Sequence, residues 1–413
     1  MHRFLSGLII GALLATSGLY ISGYVDFGKR HGTEPVKAEP VATIPRPSAV
    51  KKPTVIARCS AITADCKPDT DPKRGISGSA RLNINTHLVV HDLHNGPGEA
   101  DKDRLGIVIS TGAGAYAYRP VTIDKDKWHE PGQVSNDLES ACRLTHSDNE
   151  FLVAESGRVD TRVGGKVERK PWLGRIFHIH LDFSSKNPAA RVLMTPKLTL
   201  ALVSAPQFKN PDPAVVEFPH SKENYEGLAC LHLNQAVNEP AKYLVVLAER
   251  GGEQTDTATL YWGVYDTAQP LADREIKWST APDVQGIKAP STSKHPDSEW
   301  RDITGLHIDD RNRLFATAAY DTGKNNPPYE SVMYQLGVIC VNKNDKHGNA
   351  ALCDYTLPAR PVNLSAYVIS ATTGYHKLES VAAPSGKAPA ADRLSIAAED
   401  EDNGGVWWPD IPD

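Results

Sequence analysis

Acidic side chains recur in this chain at both ends of short apolar hairpins, a spacing that can gather carboxylates in one place. DLESAC from Asp137 is followed by FLVAES, YEGLAC from Tyr225 by YLVVLAER, DITGLH from Asp302 by LFATAAYD, and KLESVA from Lys377 by LSIAAEDE. In an antiparallel hairpin the start of one strand lies beside the end of its partner. Glu139 is thereby paired with Glu155, Glu226 with Glu249, and Glu379 with Glu399. If the hairpins surround one axis, these six carboxylates meet at a single mouth. Like charges that close either hold protons or share a cation, and hard oxygen donors suit Ca²⁺ or Mg²⁺. The third copy departs from the pattern, with Thr304 at the first acidic place, Ala319 at the second and Asp321 two residues later. A symmetrical ring of acids is therefore excluded, and Asp92 is the one comparable strand-end acid upstream of the four copies.

A plainer role competes with ligation. Acidic residues at repeat turns also accept hydrogen bonds from backbone N–H groups. Arg158 and Arg250 follow the second carboxylates in AESGR and AERGG, where they either hold an anionic substrate or neutralise their neighbours. His178 and His180 alternate in RIFHIHLD and share one strand face. No third ligand accompanies them, so a solvated face is the expectation. GxSxG, a Gly-rich phosphate loop, HExxH and CxxC are all absent, which leaves serine-hydrolase, P-loop and zincin chemistries without support.

The elements that position these residues repeat at spacings of roughly 75 to 90 residues, longer than a usual propeller blade. RIFHIHLD, ATLYWGVYD and SVMYQLGVIC follow the first three motif hairpins, and each supplies a third strand to its unit. His87 to Ile123 reads as a further unit without the acidic turn. The expectation is an all-β chain, a β-propeller of five or six blades over residues 76–413, with its extreme strands closing the ring. A pair of sandwiches would need a mid-chain linker, and VQGIKAPSTSKHPDSEW reads instead as a surface loop because the repeat resumes directly after it.

Before the propeller, residues 1–25 carry an uncharged stretch from Phe4 to Val25, read as a hydrophobic helix that is either a cleaved export signal or a membrane anchor. Residues 26–75 are rich in Pro and small residues and read as a flexible tether with a Cys59–Cys66 loop. Cys340 and Cys353 flank a polar turn, and like Cys59 and Cys66 they are spaced as a staple. Cys142 and Cys230 hold the same place in successive repeats, so they either face each other between neighbouring units or serve as small core residues. The expected location is outside the cytoplasm, on the periplasmic or extracellular face. A net charge of −5 gives no electrostatic reason for nucleic-acid binding. The N-terminal segment makes a membrane the expected contact, with an envelope protein as a further expected partner.

At DLESAC with FLVAESG, YEGLAC with YLVVLAERGG, DITGLHIDDRNRLFA with YD, and KLESVA with AAEDEDNGG, the chain resembles the phytase-like propellers called "esterase-like activity of phytase". It is also similar, more distantly, to calcium-activated nucleotidase propellers. The resemblance spans Asp137 to Gly405. It implies a propeller and a metal-assisted hydrolysis of a small-molecule ester or phosphoester. It places Glu139, Glu226, Thr304 and Glu379 at the axis as metal ligands, with Glu226 and Glu379 catalytic. Glu155, Glu249, Asp321 and Glu399 form a second acidic tier, and Arg158 and Arg250 would face the substrate anion. A non-catalytic propeller that binds a ligand or protein in the envelope is the alternative expectation.

Overall fold

The computed structural model describes residues 54–55, 57–58, 75–93, 103–112, 115–123, 137–145, 149–156, 162–163, 166–167, 175–184, 188–194, 196–200, 224–233, 241–252, 256–278, 284–290, 300–320, 329–341, 350–361, 376–384, 393–399 and 405–412. The hydrophobic N-terminal stretch, the Cys59–Cys66 loop, Arg158 and Asp321 all lie outside the described residues.

Two short strands open the described chain, β1 (Thr54–Val55) and β2 (Ala57–Arg58). Five up-and-down meanders follow. The first is β3 (Gly78–Asn83), β4 (Thr86–Val90), β5 (Leu105–Gly112) and β6 (Ala115–Ile123). The second is β7 (Leu138–Arg143) and β8 (Glu150–Glu155), an inserted hairpin β9 (Arg162–Val163) and β10 (Lys166–Val167), then β11 (Ile176–Asp182) and β12 (Ala189–Met194). After β13 (Lys197–Leu200) comes the third, β14 (Tyr225–His232), β15 (Lys242–Glu249), β16 (Ala258–Asp266) and β17 (Glu275–Trp278), trailed by β18 (Val284–Ile287). The fourth is β19 (Trp300–Ile308), β20 (Arg313–Tyr320), β21 (Glu330–Val341) and β22 (Ala350–Pro361). The fifth is β23 (Leu378–Ala382), β24 (Arg393–Glu399) and β25 (Gly405–Pro412), completed by β1.

The first strands of the five meanders neighbour one another in a closed cycle, β3 beside β7, then β14, β19, β23 and β3 again. Apolar layers fill every gap in that cycle. Leu88 and Val90 pack on Phe151 and Val153, Tyr225 and Leu247 on Leu152 and Ala154, and Trp262 on Tyr334 and Leu336. Phe315 and Met333 meet Ile396 and Trp408, and Trp407 closes the circle against Val89 and Tyr118. Each such side chain, wholly withdrawn from water, contributes about 1.5–3 kcal/mol. This radial repetition of antiparallel sheets is a β-propeller.

Closure uses chain that the sequence reading assigned to a flexible tether. Thr54 and Val55 align with Trp407 and Val406, while Ala57 and Arg58 pair in parallel with Ala117 and Tyr118. Residues 54–58 therefore bridge the last meander and the first. Their β-branched and small residues suit an edge strand, and composition alone hid this because the surrounding prolines dominate it. A second link is covalent. Cys142 on β7 and Cys230 on β14 form a disulfide with Cα atoms 5.5 Å apart, so of the two readings left open, they face each other. It spans 88 residues of sequence, and a crosslink of this reach contributes about 2–5 kcal/mol. Cys340 aligns with Ala351 across β21 and β22, and Cys353 lies on β22; their side chains are outside the described residues.

Candidate active site

Three glutamates reach the axis through one local device. In the pairing of β7 with β8, Leu138 is opposite Glu155 and Ser140 opposite Ala154, so Glu139 is left without a partner. The same skip leaves out Glu226 between Tyr225 and Gly227, and Glu379 between Leu378 and Ser380. Such bulges re-aim a side chain and sharpen the local twist. Where neighbouring inner strands pass close by, the residue at the place that follows the acid, or Ser77 and Thr304 in the other copies, is small. A Cβ on Gly78 would stand 2.5 Å from the Glu139 carbonyl oxygen, and one on Gly305 would stand 2.6 Å from that of Glu379. Aligning these small residues shows a fifth copy that the sequence reading missed, Ile76-Ser77-Gly78-Ser79-Ala80, with Ser77 in the acidic place. The signal was the apolar–polar–small triplet, not the acid.

Glu139, Glu226 and Glu379 are 4%, 2% and 1% exposed and lie near enough to repel one another. Two further acids join them. Asp92, just past β4, and Asp137, just before β7, each place an oxygen within 4.8 Å of one another and of a Glu139 oxygen. Asp137 holds its position at a positive φ of 61°, a conformation that costs an aspartate of order 1–3 kcal/mol. It is fixed there by its N–H to the Leu93 carbonyl, its carbonyl to the Ser156 N–H at 2.8 Å, and its Oδ2 accepting from the Ser156 hydroxyl at 2.6 Å. Ser77 accepts from the Asp92 N–H at 3.0 Å. Glu139 has neither a hydrogen bond nor an ion pair to any described residue.

Cations balance the other side of the mouth. The Arg250 guanidinium lies 3.3 Å from Glu226, Lys377 Nζ 2.8 Å from Glu379 and 3.2 Å from Glu399, and Arg301 3.5 Å from Glu379. Lys377 and Arg301 were not singled out in the sequence. Arg250, expected to face a substrate anion, is engaged with Glu226 and buried. Burial, and after it the negative charge of Asp137, holds the Asp92 carboxyl well above the usual carboxylate range. Glu139 is pushed up by burial, then by Glu226, Asp137, Asp92 and Glu379. Glu379 is raised by burial and then by Glu399. Burial also works against ionising Glu399, but Lys377 and the hydrogen bond from Glu379 outweigh it and hold Glu399 low. Glu379 therefore keeps the proton that Glu399 gives up.

The second-tier acids divide. The Ser156, Arg250 and Glu399 N–H groups donate to the carbonyls of Asp137, Asn224 and Lys377, each immediately ahead of an inner strand. Glu399 therefore matches Ser156 and Arg250, one position beyond Glu155 and Glu249. Adjacent strand residues point to opposite faces, so Glu155 and Glu249 face away from the mouth. Glu155 accepts Arg175 Nη2 at 2.8 Å and Nε at 3.0 Å, and Glu249 accepts the Tyr261 hydroxyl at 2.9 Å. Thr304, expected as a ligand, donates its hydroxyl to the Leu378 carbonyl at 2.6 Å. His178 is buried, not solvated, between Glu150 at 2.9 Å and the Tyr265 hydroxyl at 2.7 Å, where it joins the second and third meanders.

Raised carboxyls make a pH prediction. A group whose folded pKa lies above its unfolded value stabilises the fold below the unfolded value, and that contribution is lost as pH rises through the folded one. For Asp92, Glu139 and Glu379 the loss begins at about pH 4; Glu399, Asp182 and the buried His87 and His307, whose folded values are lowered, act in the opposite sense, the histidines only below about pH 6.5. Above the range in which the histidines titrate in the unfolded chain, metal-free protein should therefore melt at a falling temperature, between roughly pH 6.5 and 8. Scanning calorimetry in chelator checks this, and a flat or rising profile contradicts it.

No protein-family model matches the chain, and no curated protein matches it. Among solved structures, the chain is similar to a GH43 β-1,3-galactosidase complexed with galactodeoxynojirimycin, at 8% identity and a TM-score of 0.42, covering 87% of this chain and 94% of that one. It is similar to an α-L-arabinanase variant of Cellvibrio cellulosa at 10% identity and TM-score 0.36, covering 81% and 90%. An α-L-arabinofuranosidase of Podospora anserina in complex with cellotriose matches at 9% identity and TM-score 0.37, covering 86% and 93%.

Proposed function

We propose that this chain is a five-bladed propeller hydrolase, each meander being one blade, and that its acidic mouth cleaves a small-molecule ester or phosphoester with a divalent cation. The observation that carries the reading is the meeting of Asp92, Asp137 and Glu139 oxygens within 4.8 Å around a buried Glu139 that has no hydrogen-bond or ion-pair partner among the described residues. Oxygens at that separation match the 2.3–2.6 Å shell of Ca²⁺, while Mg²⁺ demands a tighter one. A bound cation relieves the repulsion among the three acids and supplies Lewis-acid polarisation of an ester oxygen. Glu379, protonated and hydrogen-bonded to Glu399, donates the proton to the leaving group. Glu226, braced by Arg250, stands across the mouth to orient water. We place the protein outside the cytoplasm, tethered by Phe4–Val25; the Cys142–Cys230 disulfide favours an oxidising compartment.

A second reading has its own support. Arg250, Arg301 and Lys377 are all engaged with carboxylates, so without a metal the mouth favours a neutral substrate. A protonated Glu379 beside ionised carboxylates then suits glycosidic cleavage by paired acid and base.

The deciding experiment titrates Ca²⁺ into the full chain by calorimetry and assays nitrophenyl acetate, phosphate and galactoside with Ca²⁺ and with chelator. Ca²⁺ binding together with Ca²⁺-dependent ester or phosphate turnover is expected. Chelator-resistant glycoside turnover selects the second reading. Binding without turnover leaves the non-catalytic envelope module.

A further inference from the structure

The axis has a second end. The inner strands β3, β7, β14 and β19 run from the acidic mouth toward the turns that lead into their hairpin partners, and residues from their middles and far ends enclose a cavity of about 280 Å³. Its wall includes Arg81 and Asn83 of β3, Arg143 at the end of β7, Thr145 just beyond it, His307 of β19 and Asp310. The Cys142–Cys230 disulfide forms another part of the wall. Four residue steps separate Glu139 from Arg143, which at about 3.3 Å each sets the Arg143 end of this cavity roughly 13 Å from the acids.

Arg81 is the informative residue. It forms no ion pair or hydrogen bond with any described residue. Its charge acts on His87 and His307. Burial holds both imidazoles down to about 4, so neither carries a charge at neutral pH and neither balances the guanidinium. Arg143 adds a second guanidinium from the adjacent inner strand, and Asn83 and Thr145 add neutral donors. Among the described residues of the wall Asp310 is the one carboxylate, and it is exposed. Two forked donors converging on a small polar hollow are the arrangement that recognises an oxyanion.

We propose that this cavity is a binding site for a small oxyanion, a phosphate or a carboxylate, held between Arg81 and Arg143 at the end of the axis opposite the acidic mouth. The site shares no residue with the hydrolytic reading and does not depend on it.

Isothermal titration of the full chain with inorganic phosphate and, separately, with malonate tests the proposal. Saturable binding of one probe is expected, and the tighter probe identifies the oxyanion. Arg81→Gln and Arg143→Gln should each weaken it at least about tenfold, the loss of one charge-assisted contact. Arg81→Lys keeps the charge without the fork and should fall between, with an unchanged melting profile as the folding control. Glu379→Gln should bind as the wild type does, which separates failure of this site from failure of the hydrolytic one. Absence of binding by either probe, or wild-type affinity in both Gln variants, overturns the proposal.

Discussion

Replacing Glu379 by Gln is expected to lower kcat/KM for hydrolysis by about 10²–10⁴-fold, the usual worth of a positioned proton donor, while the protein stays folded. Glu379 is 1% exposed and shares its proton with Glu399. A Gln amide still donates to Glu399 and fills the same volume, but it has no proton to transfer. Keeping a buried carboxyl protonated at neutral pH costs free energy that a Gln amide does not incur, so the variant's melting temperature at neutral pH should equal or exceed the wild type's. Steady-state kinetics beside calorimetry separate the two effects. Full activity in the Gln variant removes Glu379 from the reaction, and a lost fold would instead make it a structural residue.

Replacing Glu155 by Ala should have the opposite character, a loss of stability with the chemistry spared. Glu155 is fully buried and receives Arg175 through its backbone N–H, Nε and Nη2. Removing one partner of such a pair leaves a buried charge uncompensated and costs about 3–5 kcal/mol. In a domain of this size that corresponds to a melting temperature lower by roughly 4–7 °C. Replacing the pair together, as Glu155→Leu with Arg175→Met, should recover much of the loss. Ca²⁺ affinity and turnover measured below the melting point should match the wild type's. A fall in Ca²⁺ affinity with stability intact would place Glu155 back in the mouth.

The contrast between these residues shows what the sequence could reveal. The meander order and the third strands, such as RIFHIHLD and ATLYWGVYD, were legible because period-2 patterning and recurrence are written in residue types. So was the convergence of Glu139, Glu226 and Glu379. The tier above them was not. FLVAES, VVLAER and SIAAED all read Ala-Glu, yet Glu155 and Glu249 stand opposite Leu138 and Tyr225, whereas Ala398 stands opposite Leu378. A slip of one residue reverses which face a side chain takes, and the slip is set by hairpin geometry that no single residue announces. Asp92 was visible as a strand-end acid, whereas Asp137 lies outside the strands, where periodicity has nothing to say. Ser77 was hidden because the repeat was recognised by its acid.

The clasp made by β1 and β2 bears on how the molecule comes into being. Its partners on β25 are among the last residues of the domain, Val406 and Trp407. A chain emerging from a ribosome or translocon can form the early meanders in turn, but the ring has to stand open until the final strand arrives. Loop closure over that separation is paid late, and pairings so distant in sequence fold slowly. During that interval the edge of β24 and the inner face of the first meander are exposed to other chains. Loss of the Thr54–Arg58 segment would prolong this vulnerable interval indefinitely, making aggregation and proteolysis, more than lost catalysis, the first signs of its removal.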